Sequence, residues 1–267
     1  MSQEGPPLNN QALRALYQQV YREGKERFFT FSTEDVSQEV LKEKEWTGLD
    51  VLEVGCGIGE TANLLAEAGA QVVACDYAEA AIARARARFE HPRLRFEVRS
   101  YQEVEGDFDV IVAQEVIEHT DDPRVFLKTL THHLRADGEL IVTCPSFLNV
   151  RGYIWMALQL LLDVPMSLSD KHFICPFDME AWADELDLHC QWRTFRHWQA
   201  HGEPLIYDYK KRLTNALQDA GLDNSTVDRF LAWLDQARRY EPDASYNGAK
   251  ALYRFKPRKN TLHKRSI

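Results

Sequence analysis

Apolar and polar positions alternate along this chain with two different periods. Short runs rich in Val, Ile, Leu and Phe recur at residues 50–54, 71–75, 94–99, 108–113 and 139–144. Each has the length of a buried strand and is bounded by glycine, proline or charged residues. Segments with apolar residues three and four apart lie between most of them and predict helices over about 58–68, 78–89 and 123–134. Gly69, His91-Pro92 and Asp137-Gly138 punctuate the series. Strand and helix alternating in this way call for an α/β fold, a mostly parallel sheet with helices on both faces.

The flanks carry the helical period. Leu13, Leu16, Tyr17, Val20 and Tyr21 form one stripe, and Val36, Val40 and Leu41 continue an apolar face after a helix-start signal at 32–35. Phe28 and Phe29 add to the aromatic content of this region. Residues 148–166 are apolar nearly all round and stop at Pro165-Met166. Pro176 and Asp178 then set up a helix over 179–186. A strand over 188–199, helices over 204–220 and 225–240 and a last strand over 249–255 complete the pattern. The expected layout is an N-terminal helical segment (1–47), a ligand-binding core (48–147), a helical insertion (148–187), the rest of the sheet with a helical pair (188–257) and a basic tail (258–267).

Composition narrows the class. The chain has 267 residues, 45% of them hydrophobic, ample for a proper core. Its formal charge of −9 disfavours nucleic acid as a partner, because phosphate contacts need Lys and Arg. Five cysteines (Cys56, Cys75, Cys144, Cys175 and Cys190) form no C-x-x-C pair, which points to reduced thiols and a cytoplasmic setting. Residues 1–10 lack the apolar stretch of a secretory leader, so none is expected. The apolar run 148–166 is too short to span a bilayer. It suits the roof of a pocket, with peripheral membrane contact or a partner interface as the alternatives.

The chemistry begins at the end of the first strand. In 51–60 three glycines, Gly55, Gly57 and Gly59, follow Glu53 at alternate positions and precede a helix. Glycine permits positive φ and close approach of a ligand to the backbone. A dinucleotide turn reads G-x-G-x-x-G, but position 60 is Glu60 and the third glycine comes one residue early. E-x-G-x-G-x-G instead resembles motif I of the class I S-adenosylmethionine-dependent methyltransferases. The later segments "FDVIVAQEVIEHTDDP" and "GELIVTCPS" resemble the branch of that family containing the ubiquinone-biosynthesis O-methyltransferases, and the resemblance covers roughly residues 48–147. It implies a Rossmann-like seven-stranded sheet with helical insertions after strand 5 and between strands 6 and 7, strand 7 lying antiparallel at the edge. It also implies S-adenosylmethionine as cofactor and an N-terminal segment folded over it as a lid.

Specific residues follow. Asp76 ends the second strand, 17 positions after Gly59, at the edge where open α/β sheets bind ligands. It can accept both hydroxyls of a ribose, or cap the helix that starts at Ala78. The resemblance points to Glu53, Gly55, Cys56, Gly57 and Gly59 around the cofactor's amino-acid end. It places Asp76 at the ribose, Tyr77, Ser100 and Tyr101 near the adenine, and Gln114 along the cofactor. Glu115, Glu118 and His119 would share one face of a helical turn. Two carboxylates and an imidazole can hold a divalent metal, and His119 can serve as a general base with Glu115 beside it. His172, in "SDKHFICPFDMEAW", is a further acceptor-side or metal-ligand candidate. The expected function is methyl transfer to a small-molecule oxygen. Its rivals are a metal-dependent RNA 3′-terminal 2′-O-methyltransferase using Glu115, Glu118, His119 and His172, an N- or C-methyltransferase, and a non-catalytic cofactor-binding assembly subunit.

Overall fold

The computed structural model describes residues 18, 19, 22, 34–164 and 170–258. The expected helical stripe from Leu13 to Phe29 falls largely outside these residues, as does most of the basic tail.

The described residues divide into two compact units. The first runs to residue 143 and includes 177–191 and the chain from 253. It holds α1 (Glu34–Leu41), β1 (Asp50–Val54), α2 (Glu60–Glu67), β2 (Gln71–Asp76), α3 (Glu79–Arg88), β3 (Leu94–Val98), β4 (Phe108–Gln114) and α4 (Pro123–Thr131). The chain passes between units within β5 (Leu134–Pro145), β6 (Leu188–Phe195) and β7 (Lys250–Pro257), and α6 (Pro176–Glu185) precedes β6. The seven strands form one sheet in the order β3-β2-β1-β4-β5-β7-β6. The pairs β1–β2, β1–β4, β2–β3 and β4–β5 are parallel.

Local chemistry explains these elements. Val51, Leu52, Glu53 and Val54 of β1 are all buried, as in a central strand covered on both faces. α2 turns Thr61, Ala62, Leu65 and Ala66 inward, and its two alanines bring the helix axis close to the sheet. Asp122 caps α4 through the amides of Arg124 and Val125, and Pro123 opens its first turn. Glu139 is fully buried at the base of β5, held by Lys44 at 2.8 Å and Arg254 at 2.5 Å.

Three expectations need correction. β5 starts at Leu134, not Glu139, because the Asp137-Gly138 stretch is absorbed as an irregularity between the Phe108–Leu134 and Val110–Glu139 pairs. β6 ends at Phe195, because Arg196 takes a left-handed φ of 60° and starts the short helix α7 (His197–His201). β7 is an interior strand, not the edge strand. Ala251, Leu252, Tyr253 and Phe255 are buried on both of its faces, and the edge falls to β6 with its more exposed Leu188–Phe195 pattern.

The second unit comprises 144–164, 170–176 and 192–252. It contains α5 (Val150–Leu162), α7, α8 (Glu203–Asp219) and α9 (Val227–Ala237). Its core gathers Phe147, Trp155, Val164, Leu205, Tyr209 and Leu231. The guanidinium groups of Arg151 and Arg212 stack on Trp155 and share the Asp208 carboxylate. α5 buries Gly152 and Trp155 but leaves Leu160 and Leu161 more than 70% exposed. No helix among the described residues is long and apolar enough to cross a membrane.

Candidate functional site

The glycine turn is shaped by its neighbours. Gly55, Gly57 and Gly59 have φ of 70°, 52° and 84°. A Cβ on Gly55 would lie 2.4 Å from Val116 Cγ2, and one on Gly59 would lie 2.6 Å from the Phe96 ring. Conformation and space therefore both demand glycine at these two positions. The amides of Gly55 and Cys56 donate to the Cys75 carbonyl at 2.8 and 3.0 Å, stitching the turn to the end of β2. Cys56 itself is buried, and burial pushes its thiol pKa up.

Two carboxyl groups meet at this turn. Asp76 is 8% exposed, and its Oδ2 accepts from the Gly57 amide at 3.0 Å while Oδ1 accepts from Ala78 at 2.8 Å. It thus ties the glycine turn to the helix that follows β2. Each oxygen keeps a further lone pair for a ligand hydroxyl. Burial raises its pKa, and the two amides oppose that rise. Glu53 is 2% exposed, and its Oε2 has no hydrogen-bond partner. Burial lifts its pKa to about 8, with Asp76 adding to the rise and Ala62 and Thr61 resisting it.

A line of polar groups joins this pair to the neighbouring elements. Thr61 Oγ1, in the first turn of α2, donates to Gln114 Oε1 at 3.0 Å. Ser37 Oγ, on α1, lies 2.6 Å from Thr61 Oγ1, and both residues are buried. The Ala80 amide donates to Gln18 Oε1 at 3.2 Å, so Gln18 reaches the first turn of α3. Sequence reasoning passed over Ser37 and Thr61. The usable signal was a hydroxyl on an otherwise apolar helix face, between Val36 and Val40 in one case and beside Ala62 and Leu65 in the other.

The remaining candidates are distributed as follows. Ser100 caps the 3-10 turn Tyr101–Glu103, accepting from Gln102, while its own amide donates to Glu103. Tyr101 is half-buried with its ring edge-on to Phe126 at 4.9 Å. Tyr77 is half-buried just beyond Asp76. The expectation that Glu115, Glu118 and His119 share one face of a helical turn is not met. Glu115 stands before the turn with φ 57°, and only Ile117–His119 form a 3-10 turn. Only eight residues separate β4 from Pro123, and the chain must reverse within them, so a left-handed residue replaces helical extension. Glu115 Oε1 accepts from Thr143 Oγ1 at 3.2 Å, Glu118 is 3% exposed and His119 is half-buried. His172 lies in the second unit and is half-buried. None of the five cysteines is joined in a disulfide.

A parallel sheet with the first strand crossed over in both directions, a glycine turn and carboxylates at successive strand ends define a Rossmann-like domain built to bind a nucleoside-bearing ligand. Residues 52–140 match the family described as a methyltransferase domain. A probable S-adenosylmethionine-dependent methyltransferase of Mycobacterium tuberculosis is 39% identical over 103 residues, 38% of this chain and 37% of that one. A ubiquinone biosynthesis O-methyltransferase of Bradyrhizobium diazoefficiens is 36% identical over 100 residues, 36% of this chain and 40% of that one. The matches thus span well under half the length of these relatives. An S-adenosylmethionine-dependent methyltransferase from Mesorhizobium loti shares the fold at TM-score 0.52 and 14% identity, covering 84% of this chain and 96% of that one. A chain of the Haloferax volcanii complex between the Trm112 methyltransferase activator and a methyltransferase does so at TM-score 0.59 and 15% identity, over 90% and 97%. Over residues 52–140 the chain carries a methyltransferase domain similar to those of S-adenosylmethionine-dependent methyltransferases.

Proposed function

We propose that this protein is an enzyme that transfers the methyl group of S-adenosylmethionine to an oxygen of a small molecule. The observation that carries the cofactor half is Glu53. It is a buried carboxyl with one unpartnered oxygen, beside a glycine turn that admits no side chain at Gly55 or Gly59. An isolated buried carboxyl is costly unless a cation meets it, and the α-ammonium of an amino acid is such a cation. Asp76, at the adjoining strand end, suits ribose hydroxyls, and Tyr77, Ser100 and Tyr101 follow on the adenine side. The residues present therefore fit the group.

When bound, the cofactor supplies a methyl group activated by a sulfonium. The protein's part is alignment, exclusion of water and handling of one proton. Glu53 and the glycine turn hold the amino-acid end. His119 takes the proton of the acceptor hydroxyl, with Glu115 and Glu118 just before it in sequence. Support for oxygen and for a small acceptor comes from the likeness to ubiquinone-biosynthesis O-methyltransferases over 100 residues and from the net acidity of the chain. Calorimetric binding of S-adenosylhomocysteine tests the cofactor half. Transfer of labelled methyl across a panel of phenols, catechols and carboxylic acids tests the acceptor half. No binding at millimolar ligand refutes the first, and labelling confined to amines or RNA refutes the second.

A further inference from the structure

β3 is an outer strand of the sheet, paired with β2 alone. Its peptide groups alternate in direction along the strand. The Arg93 carbonyl accepts from the Val72 amide at 2.7 Å, and the Arg99 amide donates to the Asp76 carbonyl at 3.0 Å. In this register residues 93, 95, 97 and 99 face β2, and the peptide groups of Leu94, Phe96 and Val98 face outward. Two of the outward groups are satisfied locally. The Leu94 amide turns back to the His91 carbonyl at 3.0 Å, and the Phe96 carbonyl accepts from Arg86 Nη2 at 2.6 Å. The amides of Phe96 and Val98 and the carbonyls of Leu94 and Val98 have no partner among the described residues. Val98 adds apolar surface, 44% exposed.

The same edge is basic, on a chain whose formal charge is −9. Arg86 is bonded to a carbonyl and to no carboxylate among the described residues. Arg93 likewise donates to the Ala66 carbonyl. Arg95 and Arg99 share one carboxylate, Glu97, at 2.7 and 3.2 Å, and the Arg95 side chain is 70% exposed. Positive charge therefore exceeds negative charge along the strand. Charged side chains commonly guard an open edge against other strands. Here the guard has one sign, so it rejects a basic strand and admits an acidic one. Two copies joined β3 to β3 would set arginine against arginine, which disfavours a second copy of this edge. A nucleic acid would meet the arginines but would leave the open carbonyls facing phosphate. An acidic polypeptide strand meets both the charges and the backbone.

We propose that the β3 edge docks an acidic segment of another protein, added to the seven-stranded sheet as a further strand. Its backbone pairs with the outward groups of Leu94, Phe96 and Val98. Its Asp or Glu side chains meet Arg86, Arg95 and Arg99.

The probe is a fluorescent decapeptide of alternating valine and glutamate, followed by anisotropy at low salt. The comparison ligands are a valine–lysine decapeptide, the valine–glutamate peptide N-methylated at alternate residues so that it cannot form a ladder, and an oligothymidylate. The proteins are wild type, Arg95→Glu, Arg86→Gln and Val98→Pro, each checked for a cooperative melt. The valine–glutamate peptide should bind wild type saturably and slow amide exchange at Phe96 and Val98. Arg95→Glu should weaken it roughly tenfold or more, and Arg86→Gln by less. Val98→Pro removes an outward amide and should weaken it severalfold. If Val98→Pro fails to melt cooperatively, the N-methylated peptide decides whether the backbone takes part. Absence of saturable binding at millimolar peptide overturns the proposal, as does equal affinity for the valine–lysine or the N-methylated peptide. Tighter binding of the oligothymidylate would make the edge a polyanion surface and overturn it. Wild-type dimers that Arg95→Glu dissociates would give the edge to a second copy and overturn it too.

Discussion

Binding of the cofactor product should release a proton from Glu53. The carboxyl is buried, with a pKa raised from the ordinary 4.5 to about 8. At pH 7 it is therefore protonated in about nine molecules of ten. An arriving ammonium favours the ionised form, so binding at pH 7 should expel close to one proton. Affinity for S-adenosylhomocysteine should climb nearly tenfold per pH unit from 6 to 7.5 and level off near 8. Titration calorimetry in buffers of different ionisation enthalpy measures the proton count directly. The same group sets a stability slope in the ligand-free protein. The folded state keeps a proton that the unfolded state loses above 4.5. The stabilising contribution is therefore complete below about 4.5 and is lost as pH rises toward 8. The full interval corresponds to roughly 5 kcal/mol as an upper bound. Asp76, also raised by burial, acts with the same sign. Glu53→Gln should remove most of that slope, making the ligand-free variant relatively more stable at pH 8, and should weaken S-adenosylhomocysteine at least a hundredfold. A proton count near zero, pH-independent affinity between 6 and 8, or a variant that binds normally would refute the reasoning.

Further outcomes follow from the same geometry. Gly55→Ala should cost about 2–3 kcal/mol, from a left-handed φ and the 2.4 Å approach to Val116. Adding Val116→Ala should recover the steric share in a double-mutant cycle by denaturant unfolding, and purely additive losses would exclude the clash. Glu139→Gln should lower stability by about 2 kcal/mol at pH 7, because Lys44 and Arg254 lose a buried negative charge and one of the two acceptor oxygens. The Glu139 pKa is lowered by those cations, so the wild type's advantage should shrink as pH falls below the ordinary carboxylate value, which melts at pH 7 and pH 4 can compare. His119→Ala should reduce kcat by about a hundredfold or more with the KM for S-adenosylmethionine little changed, if it is the base. Activity lost in EDTA and restored by Mg²⁺ or Mn²⁺ would instead assign Glu118 and His119 to a metal.

Much of the fold was legible because parallel strands are buried on both faces and read as continuous apolar runs. Val51–Val54, Val72–Cys75 and Val110–Ala113 are such strands, and the helices between them keep their three-four period. The glycine turn and Asp76 were legible for a related reason. A turn that must take positive φ three times, and a carboxylate at a strand end, leave marks in the residue types themselves. Boundaries were less so. Asp137-Gly138 has turn chemistry, yet pairing with β4 carries the strand through it. Arg196 offers no local sign that it will adopt a left-handed φ and end β6 early. The interior position of β7 depends on which strands its faces meet, and an apolar eight-residue run has no marker for that.

The sequence by itself determined the alternation of elements, the glycine turn and the identity of the two carboxyls beside it, since each follows from local backbone preference or burial period. Tertiary structure alone decided that Ser37, Thr61 and Gln114 line up and that Glu115 stands apart from the 117–119 turn. It also decided that Glu53 lacks a partner for one oxygen. Those facts depend on which side chains from distant segments share the same few ångströms, and hydrogen bonding and desolvation act over those distances.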